Sequence, residues 1–91
     1  MRLTIYGKPG CHLCDQMKSL VHRIISAQPN AQELSLDEID ISGDPDLLDR
    51  YGLDIPVLVI DGKKVAKYRV SEEELTQMVK ARTEKGVSGK G

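Results

Sequence analysis

Two cysteines occur in the 91 residues, Cys11 and Cys14, and they stand three apart. They lie in the run Gly7-Lys8-Pro9-Gly10-Cys11-His12-Leu13-Cys14, which follows an alternating apolar stretch and opens the most helix-like segment of the chain. Two thiols at this spacing, at the start of a helix, form a dithiol whose sulfurs can close a small ring. A helix N-terminus offers unpaired backbone N–H groups and a partial positive charge, and both favour a thiolate. Such surroundings bring a cysteine pKa from ~8.5 down to roughly 3.5–7.5. In a strand–helix–strand context and without further cysteines, the Cys-x-x-Cys pair reads as a redox centre.

The competing chemistry is half of a zinc site. Zinc takes four ligands, and no second cysteine pair exists to complete the set. His12 and His22 do not stand at a finger-like spacing, so no metal is expected. His12 either stabilises the Cys11 thiolate or faces solvent on the first turn. His22 is expected on the helix surface. Asp15 suits a helix N-terminus, where carboxylates are favoured, and Met17 falls at core spacing.

The elements around this pair follow from local pattern. Leu3-Thr4-Ile5-Tyr6, closed by Gly7, predicts a short strand. Lys8-Pro9-Gly10 is turn chemistry. From Cys11 to about Ala27, Leu13, Met17, Leu20, Val21, Ile24 and Ile25 recur at offsets of three and four, the pattern of an amphipathic helix ended by Pro29-Asn30. Leu34-Ser35-Leu36 and Ile39-Asp40-Ile41 each alternate but out of phase, which predicts a strand with a bulge near Asp37-Glu38. Its acidic content suits a sheet edge. Asp44-Pro45 is a helix start, and Gly52 is placed to cap the other end. Ile55-Pro56-Val57-Leu58-Val59-Ile60 reads as a strand covered on both faces. Asp61-Gly62 then turns a hairpin back through Val65 and Ala66. Ser71-Glu72-Glu73-Glu74 forms a capping box, with Val70 and Leu75 as its staple, and opens a last helix buried through Leu75, Met78 and Val79. After Lys85 the tail, residues 86–91, has little to bury and is expected to be disordered. The predicted order is β-α-β-α-β-β-α, an α/β fold with a four-stranded mixed sheet and helices on both faces, in one domain over residues 1–85.

Composition narrows the classes. Hydrophobic residues make up 40% and charged residues 30%, enough for a core, and with three Tyr and neither Phe nor Trp that core must rest on Leu, Ile, Val and Met. A net charge of −1 gives no global attraction to nucleic acid or to an anionic membrane surface. No window approaches the ~18 apolar residues of a membrane span, and the first residues turn polar too quickly for a signal peptide. With both cysteines in one motif there is no secreted-type disulfide framework, so a reducing, cytoplasmic compartment is expected; the chain is also expected to be a monomer.

The element order, Cys11-x-x-Cys14 on the first helix and Ile55-Pro56 opening the third strand resemble the thioredoxin fold. The short chain, Lys8 three residues before Cys11 and the Cys11-His12-Leu13-Cys14-Asp15 run resemble the small glutaredoxin-like proteins. The resemblance covers roughly Arg2 to Ala81. It implies a thiol–disulfide oxidoreductase with Cys11 as exposed nucleophile and Cys14 as buried resolving thiol, acting in electron transport on protein or small-molecule disulfides. It implies a cis Pro56 that sets the Ile55 backbone beside the sulfurs for strand-like pairing with substrate. Lys8 would meet the glycine carboxylate of glutathione. No tightly bound cofactor is implied. The expected reductant is glutathione or a thioredoxin-type reductase. The alternatives are a non-enzymatic redox-sensing or docking module, and a glutathione-assisted iron–sulfur cluster carrier. The chain departs from the family where glutaredoxins carry Gly-Gly-x-Asp for the γ-glutamyl end of glutathione, because Lys67-Tyr68-Arg69-Val70-Ser71 stands there. Lys67 and Arg69 are either solvated charge or a site for an anionic group of the substrate. Asp54 replaces the family's Thr, and a carboxylate beside the thiols is expected to raise their pKa.

Overall fold

The computed structural model describes residues 1–88, with side chains through Arg82. The elements run β1 (Arg2–Gly7), α1 (His12–Ser26), a 3₁₀ turn (Ala31–Glu33), β2 (Ser35–Asp40), α2 (Pro45–Tyr51), β3 (Val57–Ile60), β4 (Lys63–Lys67) and α3 (Glu72–Ser88). The sheet order is β2-β1-β3-β4. β1 pairs parallel with β2 across the α1 crossover and antiparallel with β3, and β3 pairs antiparallel with β4. This is the predicted mixed sheet, and the central strand β1 ends at the residues that lead into Cys11.

Strand alternation sorts the side chains into two layers. Leu3 and Ile5 of β1 and Leu58 and Ile60 of β3 meet Met17, Val21 and Ile24 of α1 and Leu75 and Val79 of α3 in one core. On the opposite face Tyr6 of β1 stacks on Tyr51 of α2, with ring centroids 4.3 Å apart. Helices therefore cover both faces, α1 and α3 on one and α2 on the other.

The local start signals work as read. Asp44 Oδ1 accepts from the N–H groups of Asp46 and Leu47 at 3.0 and 3.2 Å, with Pro45 in the first turn. At α3, Glu74 N–H donates to Ser71 Oγ at 3.0 Å while Ser71 N–H donates to Glu74 Oε1 at 3.2 Å, closing the capping box both ways. Asp61 and Gly62 both take positive φ, 49° and 85°, the backbone a tight two-residue hairpin needs.

Two expectations are corrected. β2 has no bulge: it pairs with β1 residue for residue from Arg2↔Ser35 to Gly7↔Asp40. The out-of-phase halves arise because Leu36 packs against the α1–α3 core, whereas Ile39, opposite Tyr6, lies on the other face. The irregularity falls instead in β4, where the pairing shifts between Leu58 and Val59. Gly52 caps α2 as expected, in right-handed geometry, φ −55° and ψ −31°. Glycine is needed there for space, since a Cβ would run into the Leu48 carbonyl oxygen. Finally, α3 continues past Lys85 to Ser88; the rest of the expected tail lies outside the described residues.

Candidate functional site

Pro9 and Gly10 turn the chain out of β1, and Gly10, at φ 79°, takes a conformation that glycine adopts freely. That turn delivers Cys11 to the N-cap of α1, where its Sγ accepts a hydrogen bond from Cys14 N–H at 3.1 Å. The helix cap is thus the cysteine sulfur itself. Cys11 and Cys14 are joined as a disulfide, with Cα atoms 5.2 Å apart. Their exposures differ: Cys11 is half-buried, and Cys14 is 8% exposed.

Cys14 fits because of Gly7. A Cβ built on Gly7 would stand 2.7 Å from Cys14 Sγ, closer than side-chain atoms tolerate. The last residue of β1 is therefore glycine for the sake of the sulfur packed against it.

Two cavities flank the first turns of α1. One, of about 330 Å³, reaches Cys14 and is lined by Lys8, Asp15, Lys18, Glu38 and Asp40. Within it Lys18 Nζ lies 3.3 Å from Glu38 Oε1, and His22 Nε2 lies 4.0 Å from Glu38 Oε2. His22 is on the surface, as read. Asp40 is fixed by Ser42, whose Oγ–H and N–H donate to its Oδ1 at 2.6 and 2.9 Å. Those bonds, with a smaller contribution from the Lys8 charge, hold the Asp40 carboxyl below the usual aspartate range. The other cavity, about 190 Å³, is largely apolar: Leu13, Met17, Leu20, Tyr68 and Val70 line it, with Arg69 as its one charged residue.

The predicted substrate residues are thus divided. Lys8 is exposed beside the charged cavity, and Arg69 lines the apolar one. Lys67 faces neither, because its Nζ lies 3.7 Å from Asp54 Oδ1 and 5.4 Å from the Tyr68 ring centre. The Ile55–Pro56 peptide bond is cis. Pro56 is buried, and its carbonyl accepts from Tyr68 N–H at 2.9 Å. His12 is exposed.

Tyr68 is the residue that sequence reasoning missed. Its φ is 66°, and its hydroxyl lies 3.1 Å from the Leu53 carbonyl oxygen and 3.2 Å from Asp54 Oδ1, facing both as a donor. It ties the segment after β4 to the segment before Pro56. Asp54 is therefore engaged by both Lys67 and Tyr68. The only signal available beforehand was a tyrosine in the stretch where the resembling family carries glycine. Among the described residues no three His, Cys, Asp or Glu side chains gather as a metal site, and no helix is long and apolar enough to cross a membrane.

Comparison with known proteins agrees with this geometry. A protein of Dictyostelium discoideum described as "Glutaredoxin-like protein YDR286C homolog" is 27% identical over 77 residues, 82% of this chain and 71% of its own. The X-ray structure of XcR50 from X. campestris superposes with a TM-score of 0.69 at 28% identity, covering 87% of this chain and 96% of its own. Thioredoxin 1 from Thermosipho africanus TCF52B shares the fold, with a TM-score of 0.67 at 16% identity over 99% of this chain and all of its own. Residues 2–80 match the family described as Glutaredoxin-like domain (DUF836), so the chain belongs to this glutaredoxin-like family.

Proposed function

We propose that the protein is a dithiol–disulfide oxidoreductase. The observation that carries this reading is the asymmetry of the pair: Cys11 Sγ caps α1 and is partly open, while Cys14 is buried against Gly7. In the reduced protein a Cys11 thiolate would keep the Cys14 N–H bond and the favourable helix terminus. It attacks one sulfur of a substrate disulfide, forming a mixed disulfide and expelling the other sulfur as a thiolate. Cys14 then gives up its proton and attacks Cys11 Sγ, which releases the second substrate thiolate. Two electrons pass to the substrate, and the Cys11–Cys14 disulfide of this structure is the product.

Ile55 supports the docking role given to it, since no backbone hydrogen bond among the described residues engages its N–H or C=O. Those groups are available for strand-like pairing with a substrate. Two molecules of glutathione, or a thioredoxin-type reductase, would restore the dithiol. Glutathione is the weaker candidate, because Tyr68, Arg69 and Val70 occupy the stretch of the γ-glutamyl clamp.

Rapid alkylation of the reduced protein tests the assignment. Near neutral pH Cys11 is expected to react far faster than Cys14, which is buried. Cys14→Ser should trap a stable mixed disulfide on Cys11, while Cys11→Ser should abolish turnover and trap nothing. A fast-alkylating thiol at Cys14 would overturn the mechanism, and a reduced wild type that turns over no disulfide would overturn the function.

A further inference from the structure

Leu53, 93% exposed, and Tyr68, 44% exposed, are the large apolar side chains most open to solvent among the described residues. Scattered exposed apolar residues are ordinary, but these two are neighbours joined by the bond from the Tyr68 hydroxyl to the Leu53 carbonyl. Tyr68 also lines the groove with Leu13, Met17 and Val70, and Leu13 lies between the cysteines. An apolar band from Leu13 to Tyr68 therefore opens beside the cysteine motif, and the Tyr68 hydroxyl ties its far wall to the backbone of the segment that carries Leu53.

The charge along this band is positive. Arg69 is the only charged residue lining the groove, and the nearby Asp54 is already paired with Lys67. Lys63 and Lys64, exposed at the hairpin end of β4, do not line the groove. Lysines on an edge strand also guard against edge-to-edge pairing. That role accounts for Lys63 and Lys64 but not for Arg69, which lies beyond the strand, nor for the apolar residues.

We propose that this groove receives a segment of a disulfide-bearing protein that carries a large apolar side chain beside its reactive cysteine and a carboxylate next to it. The apolar side chain enters between Leu13, Val70 and Tyr68, and the carboxylate faces Arg69. The proposal rests on the oxidoreductase reading and narrows its substrate class. Glutathione fits poorly, since it has no large apolar side chain and its ammonium group would find only Arg69 and an already engaged Asp54.

The test uses short peptides whose single cysteine is held as a pyridyl disulfide, with Leu or Ala before it and Asp or Lys after it. Mixed with pre-reduced protein, Cys11 bonds to the peptide sulfur and expels pyridine-2-thiolate, which takes a proton from water and is read by absorbance. Cys14 then displaces the peptide thiolate. The Leu peptides should react about tenfold faster than the Ala peptides, the scale of discrimination an apolar pocket gives. Asp should beat Lys several-fold at low salt, and that preference should vanish by about 1 M salt, as exposed charges are screened. Arg69→Gln should abolish the charge preference and keep the apolar one, and Leu13→Ala should reduce the apolar one. Rates within about twofold across all peptides would overturn the docking site, given the discrimination expected of a pocket. A binding arm separates this from the redox reading: the Cys11→Ser, Cys14→Ser protein is titrated with the serine analogue of the Leu/Asp peptide and followed by amide chemical shifts. Shifts centred on Leu13, Tyr68, Arg69 and Val70 with no peptide turned over would uphold the groove and overturn the redox function. Turnover with shifts elsewhere would overturn the groove alone.

Discussion

Gly7→Ala should make the protein a stronger oxidant. The added Cβ would stand 2.7 Å from Cys14 Sγ and 3.2 Å from Cys14 Cβ. Gly7 lies within a regular strand, paired with Asp40, so alanine meets no backbone penalty there and the whole cost is steric. Overpacking of a filled interior costs about 1–3 kcal/mol. In the oxidised protein Cys14 Sγ is bonded to Cys11 and cannot retreat, so the clash is felt in full. In the reduced protein Cys14 can change rotamer and relieve part of it. The disulfide form is then destabilised relative to the dithiol. Since 1.4 kcal/mol corresponds to ~30 mV for a two-electron couple, the reduction potential should rise by at most ~20–65 mV.

The measurement is equilibration in glutathione or dithiothreitol redox buffers, followed by alkylation and mass analysis of the two forms. Denaturation of each form completes the cycle, because the potential shift must equal the difference between the two stability losses. A potential equal to wild type, with both forms equally destabilised, would refute the idea that Gly7 makes room for the sulfur. A shift to more negative values would refute its sign.

Other outcomes follow from single contacts. Ser71→Ala removes the oxygen that accepts from Glu74 N–H and should lower stability by about 1 kcal/mol in chemical denaturation, the usual loss for an N-cap. Asp40 is held ionised by Ser42, so its contribution to stability is complete above the ordinary aspartate range and is lost as pH falls through its lowered folded value. Carboxyl titration by NMR should show that lowered midpoint, and Ser42→Ala should move it upward. Tyr68→Phe loses the bonds to Leu53 and Asp54 and should cost about 0.5–1.5 kcal/mol; unchanged amide-exchange protection around Leu53–Asp54 would count against the strap.

What could be read from sequence was what neighbouring residues decide among themselves. Ser71 and Glu74, Asp44 with Pro45, and Asp61 with Gly62 each carry their whole hydrogen-bond or turn logic within four residues. The cysteine pair was legible for the same reason, since its spacing and its place before an amphipathic run are local. The contacts that shape the site are not local. Gly7 meets Cys14 across a strand–helix turn, Lys67 finds Asp54, and Tyr68 reaches Leu53 across 15 positions. No periodicity announces such pairs. The β2 reading failed for a related reason: alternation was judged against one covered face, whereas the strand gives Leu36 to one layer and Ile39 to the other. Gly52 was legible as a cap, but its need for space comes from the Leu48 carbonyl one turn earlier, which no pattern announces.

Tyr68 shows how a single position can redirect a fold. Its positive φ belongs to a region where a residue with a side chain is disfavoured by roughly 1–2 kcal/mol, and glycine takes it freely. Tyrosine is held there by its N–H bond to the Pro56 carbonyl and by its one hydroxyl proton, shared between the Leu53 carbonyl and Asp54 Oδ1, at about 0.5–1.5 kcal/mol for each donor. Those bonds offset the backbone cost and place an aromatic ring over the groove beside Leu13. A bare glycine backbone would let a small peptide approach and pair with main-chain groups. The ring covers that approach and substitutes an apolar wall, with Arg69 next to it as the charge to be met. On the proposed oxidoreductase reading, the cysteine pair and the Ile55–Pro56 segment serve thiol exchange, and the apolar wall beside them is what would select side chains of a protein segment over the backbone of a tripeptide.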